Sequence, residues 1–329
     1  MARPSTQRWG VQTSGMDYTP LLRDQLLLTE IARPYLDDYR TLTRDVERGV
    51  LVKLRRGAYV PTEVWAASSG RGQHILRIRA VIAASCRPIV LAGKSAAAVW
   101  GMPIAGSWPS EVTVLDSWHG GGRAEPGVRR TAAGFTTARI VQLGGFSVTD
   151  LARTTLDVAR GASFADAIGS VDWSLWRNND RALTKEMLLA DAMKLSPQLG
   201  RARLLRLIDF STHLSDSFGE SQCRAVIRLQ GFASPQLQVE FRDDEGKMYP
   251  DLYWPEINCA AEFDGKQKYT RNEFTKGDPA EVVWREKKRQ DRLLRQVHAL
   301  TRILTADYAQ PERLVRLLNE LGVPRGGRS

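Results

Sequence analysis

Asp251, Glu262, Asp264 and Lys266 fall within one short segment, "YPDLYWPEINCAAEFDGKQKY", residues 249–269. With a turn at Glu256-Ile257, strands over 249–255 and 258–265 pair so that Asp251 lies directly opposite Glu262. Opposed residues on one sheet face have Cβ atoms about 5 Å apart, and two like charges there destabilise the sheet unless something neutralises them. Glu262, Asp264 and Lys266 are spaced by two and share a strand face, while Ala261 and Phe263 take the other and suit a core. An acidic pair on a rigid sheet suits Mg²⁺, which takes one or two carboxylates and keeps several waters. A metal so held polarises a phosphodiester oxygen and activates a water. A lysine beside it stabilises developing negative charge. The same spacing also fits a solvated strand face carrying ordinary charges.

The elements around this segment must position it. "SFGESQCRAVIRLQG" predicts a helix bearing Glu220, capped by Ser217 and stopped by Gly231. Strands are expected in "QLQVEFRD", "MYPDLYW" and "INCAAEFD". The basic helix "DPAEVVWREKKRQDRLLRQV", the strand "ALTRIL" and the helix "PERLVRLLNELG" follow. This order gives an α/β domain with a small sheet. The basic helix could lay Lys287, Lys288, Arg292 and Arg295 along a phosphate backbone. Alternatively it is a solvated helix with Glu286 and Arg289 paired at i,i+3.

Nearer the N-terminus, "LLRDQLLLTEIAR" has helical spacing, with Leu22, Leu26, Thr29 and Ala32 near one face. "LDDYRTLTRDVERGVL" predicts a second helix, capped by Asp38 or Thr41 and ended at Gly49. "LVKLRRGAYV" then alternates, turns at Gly57 and returns as a strand. Helix, helix and two-stranded ribbon is the order of a winged helix-turn-helix. A mixed α/β stretch fills 64–195. "AGKS" at 92–95 fails the phosphate-loop motif, because the glycine required five residues before Gly93 is Pro88.

The 329 residues suggest about two domains, or three. Composition, 43% hydrophobic and 26% charged, supports a sizeable core and argues against disorder. The net charge of +10, carried largely by arginine, suits a polyanionic partner. Cys86, Cys223 and Cys259 are scattered, as are His74, His119, His213 and His298, so neither a disulfide framework nor a zinc site is expected. The cysteines are expected to be small buried residues in a reducing compartment. "MARPSTQRWG" lacks an apolar stretch, so no secretory signal is expected. The longest apolar run is broken by Arg87, Pro88 and Lys94, and a cytoplasmic protein with no membrane partner is expected.

"PD", ten further residues and "EFDGK", after a helix bearing Glu220, resemble the PD-(D/E)XK restriction-endonuclease fold. The likeness is to the branch containing the very-short-patch repair endonucleases. It implies that Glu220 is the helix acid, Asp251 the first metal-binding aspartate and Glu262 the second acid. The motif's lysine position holds Asp264, as in relatives with E-x-D-G. Lys266 lies one pleat further along the same face and could substitute, and Lys268 stands where many relatives carry histidine. The following helix and strand resemble that branch at Glu286, Arg289 and Arg302. "TLTRDVERGVLVKLRRGAYV", "VLAGKSAAAVWGMP" and "VTDLARTTLDVARGASFADAIGSVDWSLW" resemble the AbiEi family of antitoxins. That resemblance implies a recognition helix with Arg40, Thr41, Thr43, Arg44 and Arg48 on or beside it, for the major groove. Lys53, Arg55 and Arg56 of the wing would meet phosphate. The two resemblances together cover about residues 20 to 320.

The expected layout is an α/β multidomain chain. It comprises a tail (1–16), a winged helix-turn-helix (17–63), an AbiEi-like middle domain (64–195) and a nuclease-like αβββαβ domain (196–329). The expected function is a double-stranded-DNA endonuclease using Mg²⁺ or Mn²⁺ and no organic cofactor, in phage defence or restriction. In it Glu220, Asp251, Glu262, Asp264 and Lys266 serve catalysis, Asp251 and Glu262 hold the metal, and Lys287, Lys288, Arg289 and Arg292 bind DNA. The alternative is an AbiEi-like antitoxin or transcriptional regulator with an inactive nuclease-fold domain and a cognate toxin. An RNA-directed nuclease is a third possibility.

Overall fold

The computed structural model describes residues 19–36, 40–117, 125–132, 135–196, 200–265 and 279–326. The predicted tail, Asp38, Lys266 and Lys268 lie outside them. The fold is mixed α/β with several separate sheets, and the chain divides into two compact units, Met1–Asp157 and Val158–Ser329. Among the described residues no helix is long and apolar enough to cross a membrane.

The first unit opens with a hairpin, β1 (Leu22–Arg23) and β2 (Leu26–Leu28), before a short helix α1 (Thr29–Ala32). The helical spacing around Leu22 therefore misleads. Asp24 and Gln25 take left-handed φ values of 50° and 70°, which closes a tight turn. β2 then gains a second partner in β4, with Leu27 opposite Tyr59. Helix α2 (Arg40–Glu47) ends before Gly49 at φ 74°. β3 (Leu51–Arg55) and β4 (Ala58–Pro61) pair across Gly57 as expected, giving strand order β1-β2-β4-β3. Leu21, Leu27, Leu42, Leu51 and Tyr59 form one core. Helix α3 (Thr62–Ala67) follows, then α4 (Gly70–Ala83), whose Leu76 and Ala80 pack with Leu26, Ala58 and Val60. Beyond it come β5 (Val90–Leu91), α5 (Gly93–Trp100), β6 (Val112–Leu115), β7 (Val128–Thr131), β8 (Ile140–Leu143) and β9 (Phe146–Thr149). The five strands form a mixed sheet in the order β7-β6-β5-β9-β8.

Helix α6 (Leu151–Arg160) carries the chain into the second unit. There α7 (Phe164–Leu175), α8 (Lys185–Lys194) and α9 (Arg201–Phe210) precede α10 (Phe218–Leu229). α7 and α10 cross closely at a glycine: a Cβ on Gly169 would stand 2.5 Å from the Phe218 ring. A buried ion pair joins the same helices, Arg224 Nη2 to Asp172 Oδ2 at 2.9 Å.

The division into two units falls at 157/158. Leu26, Ala58 and Val60 share a core with α4, and α7 packs on α10.

The remaining elements are β10 (Phe241–Asp243), β11 (Gly246–Met248), β12 (Leu252–Trp254), β13 (Cys259–Asp264), α11 (Pro279–Leu294), β14 (Ala299–Leu304), α12 (Thr305–Tyr308) and α13 (Pro311–Glu320). β10 and β11 form their own two-stranded ribbon, so the expected run of three strands splits. β13 is central in the other sheet, antiparallel to β12 and parallel to β14. Leu252, Trp254, Ala261, Phe263 and Ile303 pack one sheet face against Cys223 and Ile227 of α10 and Leu314 and Leu318 of α13. Ala260 turns to the opposite face with Leu293 of α11, Val297 and Met248. Cys223 and Cys259 are buried as expected, whereas Cys86 is exposed.

Candidate functional site

The β12–β13 hairpin has the register expected from its turn. Leu252 faces Ala261, Tyr253 faces Ala260 and Trp254 faces Cys259. A single helical turn, Pro255–Ile257, and Asn258 at φ 47° close it. Main-chain pairing stops at Leu252, one residue short of Asp251. The Asp251 side chain continues it, with Oδ2 accepting a hydrogen bond from the Phe263 N–H at 2.7 Å. That bond pins the carboxylate beside Glu262.

Glu262 is 8% exposed. Because it alternates with Ala261 and Phe263, it lies on the α11 face of the sheet. There its Oε1 accepts from Arg289 Nη2 at 2.5 Å. The same guanidinium donates to Glu286 from Nε at 3.3 Å and from Nη2 at 3.1 Å. Burial works to lower the pKa of Arg289, but Glu286, Glu262 and Asp251 together raise it. Asp264 Oδ2 accepts from Arg302 Nη1 at 3.5 Å. The three hairpin acids therefore stand among two arginines, and the neutralisation that opposed acids require comes partly from the chain itself.

Glu220 enters from the first turn of α10. Ser217 caps that helix, its Oγ accepting from the Glu220 N–H at 3.1 Å. The carboxylate turns back and accepts from Asp216 N at 3.0 Å. Asp216 is itself held by Trp176 Nε1 at 3.0 Å, Arg177 Nη2 at 2.9 Å and Gln238 Nε2 at 2.9 Å. Burial first, and then the Asp251 charge, push the Glu220 carboxyl up to about 7. Hydrogen bonds from Ser217 and Asp216 pull the other way and lose. The Cys223 thiol, buried near the same acids, is pushed far up and is inert.

Asp251 is thus the link between the acids: its charge reaches Glu220 of α10 and also Arg289, the partner of Glu262. Among the described residues, no three His, Cys, Asp or Glu side chains are grouped closely enough to hold a metal ion. Asp251 and Glu262, opposed on one hairpin, still meet the smaller need of Mg²⁺ for one or two carboxylates.

The basic residues divide. Arg40, Thr43, Arg44, Arg48, Lys53 and Arg56 are exposed, and Thr41 is half-buried. Arg55 is committed to Glu125 at 2.8 Å. On α11, Lys287 is exposed, while Lys288 pairs with Glu245 at 2.5 Å and Arg292 Nε with Asp243 Oδ2 at 2.7 Å. Sequence reasoning missed those two acids, and it missed Asp216. The run "DDEG" closes the β10–β11 ribbon, but nothing in it indicates which helix it meets.

No family model matches the chain, and no curated protein does. The crystal structure of the Rv2827c protein from Mycobacterium tuberculosis aligns with 56% of this chain and 72% of its own, at 15% identity and a TM-score of 0.36. Overlap at that level transfers neither fold nor function.

Proposed function

We propose that the second unit is a divalent-metal-dependent DNA endonuclease domain of the PD-(D/E)XK kind, related to very-short-patch repair endonucleases. The first unit would supply an AbiEi-like winged helix that reads DNA. One observation carries this reading: Asp251, fixed by the Phe263 N–H, stands opposite a buried Glu262, with Glu220 close enough to feel its charge.

Asp251 and Glu262 would hold Mg²⁺ or Mn²⁺, which supplies Lewis-acid polarisation of a phosphate oxygen and an activated water. Glu220, its carboxyl pushed up to about 7 by burial and the Asp251 charge, can pass a proton to or from a water near neutrality. Arg289 orients Glu262, and its fixed charge opposes negative charge building on a phosphate. Asp264 and Lys266 complete the proposed set, with Lys266 in the role of the motif lysine. Exposed Arg40, Arg44 and Arg48, spaced by four residues along α2 and just past its end, form one stripe for a groove or backbone.

The test is plasmid cleavage by purified protein with Mg²⁺ or Mn²⁺. Loss of cleavage in both Asp251→Ala and Glu262→Ala is expected. Cleavage that survives both substitutions rules this site out.

A second reading has its own support. Glu262 and Asp264 already contact arginines, as an acidic site that no longer takes a metal would. In that reading the protein is an AbiEi-like antitoxin or regulator in the cytoplasm. It binds an operator without cutting it and neutralises a cognate toxin.

A further inference from the structure

Two cations on α11 that a nucleic-acid backbone would need already face carboxylates. Lys288 Nζ lies 2.5 Å from Glu245 Oε2. Arg292 donates to Asp243 from both Nε and Nη2, and Nη2 also donates to Gly246 O at 3.0 Å. Both carboxylates come from the turn of the β10–β11 ribbon. Asp243 also fixes that turn, its Oδ1 accepting from Glu245 N at 2.9 Å. The ribbon has an apolar foot of its own. Met248 packs with Leu293 and Val297, and Phe241 meets Tyr253 edge to face. Apolar contacts therefore help seat the ribbon beside α11, independently of its acids.

The two contacts differ in strength. Arg292 and Asp243 form a forked pair with the guanidinium largely covered, the geometry in which such pairs persist. Lys288 and Glu245 are 45% and 46% exposed, a setting in which ion pairs are weak and screened by salt. Glu245 can therefore leave while Asp243 stays.

We propose that the β10–β11 turn is a built-in competitor for a nucleic-acid backbone: Glu245 occupies Lys288 in place of a phosphate, and duplex binding displaces it. The proposal rests on the reading of α11 as a DNA-binding helix. A neutralised lysine releases no counterion when DNA arrives, so the ribbon lowers both affinity and its salt dependence. After release, Lys288 stays near Trp284, whose ring lies 5.4 Å below its Nζ and is 62% exposed.

The experiment is fluorescence anisotropy of a labelled short duplex with the full chain at several salt concentrations. It compares wild type, Glu245→Gln, Lys288→Gln and the double variant, with melting curves to confirm equal folding. Glu245→Gln is expected to bind about three- to fivefold tighter at low salt, the ceiling for releasing an exposed pair. Its logarithmic salt slope should steepen by about one. In the Lys288→Gln background the gain should vanish. A gain of equal size there means simple charge repulsion and overturns the competitor. So does unchanged or weaker binding by Glu245→Gln when the wild type binds with a clear salt slope. If the wild type shows no salt-dependent duplex binding, the DNA-binding reading of α11 fails first.

Discussion

Glu220→Gln should make this protein more stable above neutral pH. The Glu220 carboxyl is pushed from 4.5 to about 7, by burial first and by Asp251 second. That difference of roughly 2.5 units corresponds to about 3 kcal/mol between its two protonation states. The sign follows from which state holds the proton. Between pH 4.5 and 7 the folded chain keeps the Glu220 proton and the unfolded chain does not. Stability from this group is thus complete below 4.5 and is lost as pH rises through 7. Glutamine resembles the protonated acid at every pH. It still accepts from Asp216 N, and it is equally suited to the third position of a capped helix. Urea unfolding of wild type and variant, followed by fluorescence at pH 5 and pH 8, isolates the effect as a difference of midpoints. The variant should gain up to about 3 kcal/mol at pH 8 and little at pH 5. Equal shifts at both values, or a loss at pH 8, would refute the argument that a buried, Asp251-facing carboxylate is being forced to ionise. Under the proposed function the same variant should lose cleavage, so stability and activity would move in opposite directions.

Two further outcomes are expected. Gly169→Ala should cost about 1–3 kcal/mol or more, because its Cβ would stand 2.5 Å from the Phe218 ring. Adding Phe218→Leu should recover part of that loss in the same denaturation assay, and no recovery would place the strain elsewhere. His74 is buried, with Nδ1–H donating to Pro109 O at 2.9 Å and Nε2 accepting from the Ser95 hydroxyl at 2.9 Å. Burial, with Arg77 adding to it, lowers its pKa to about 4. Its stabilisation is present above the unfolded value of 6.5 and is lost as pH falls towards 4, by about 3 kcal/mol in all. His74→Gln should flatten that acid limb in melting temperature against pH.

What could be read from the sequence was whatever local spacing decides. The hairpin register follows from one turn, and the structure repeats it residue for residue at Leu252–Ala261. "ALTRIL" is the strand 299–304 with no residue to spare. "LGRARLLRLIDF" contains the helix Arg201–Phe210. Failures came where a distant partner decides. Leu22 to Ala32 has helical spacing, yet pairing with Tyr59 and Ala58 draws Leu27 and Leu28 into a sheet. The basic residues of α11 read as a bare cationic face because Asp243 and Glu245 lie more than forty residues upstream. The burial of Glu262 was hidden for the same reason, since Arg289 joins it from another element. Charge counts show an excess, but not which cations are already matched.

The crossing of α7 and α10 sets how small a transferable piece of this chain can be. A fragment starting at residue 196 would carry Arg224 without Asp172, its buried ion-pair partner. It would also leave the Phe218 ring with nothing where Gly169 now receives it. Beside that ring, Gly219 lies so close to Phe263 that a Cβ there would stand 2.5 Å from it. Slack at Phe218 would therefore pass straight to the hairpin that bears Glu262. Any graft of the acidic hairpin onto another protein must begin before Phe164, because the helix that squares up Glu220 takes its own footing from sequence some fifty residues earlier.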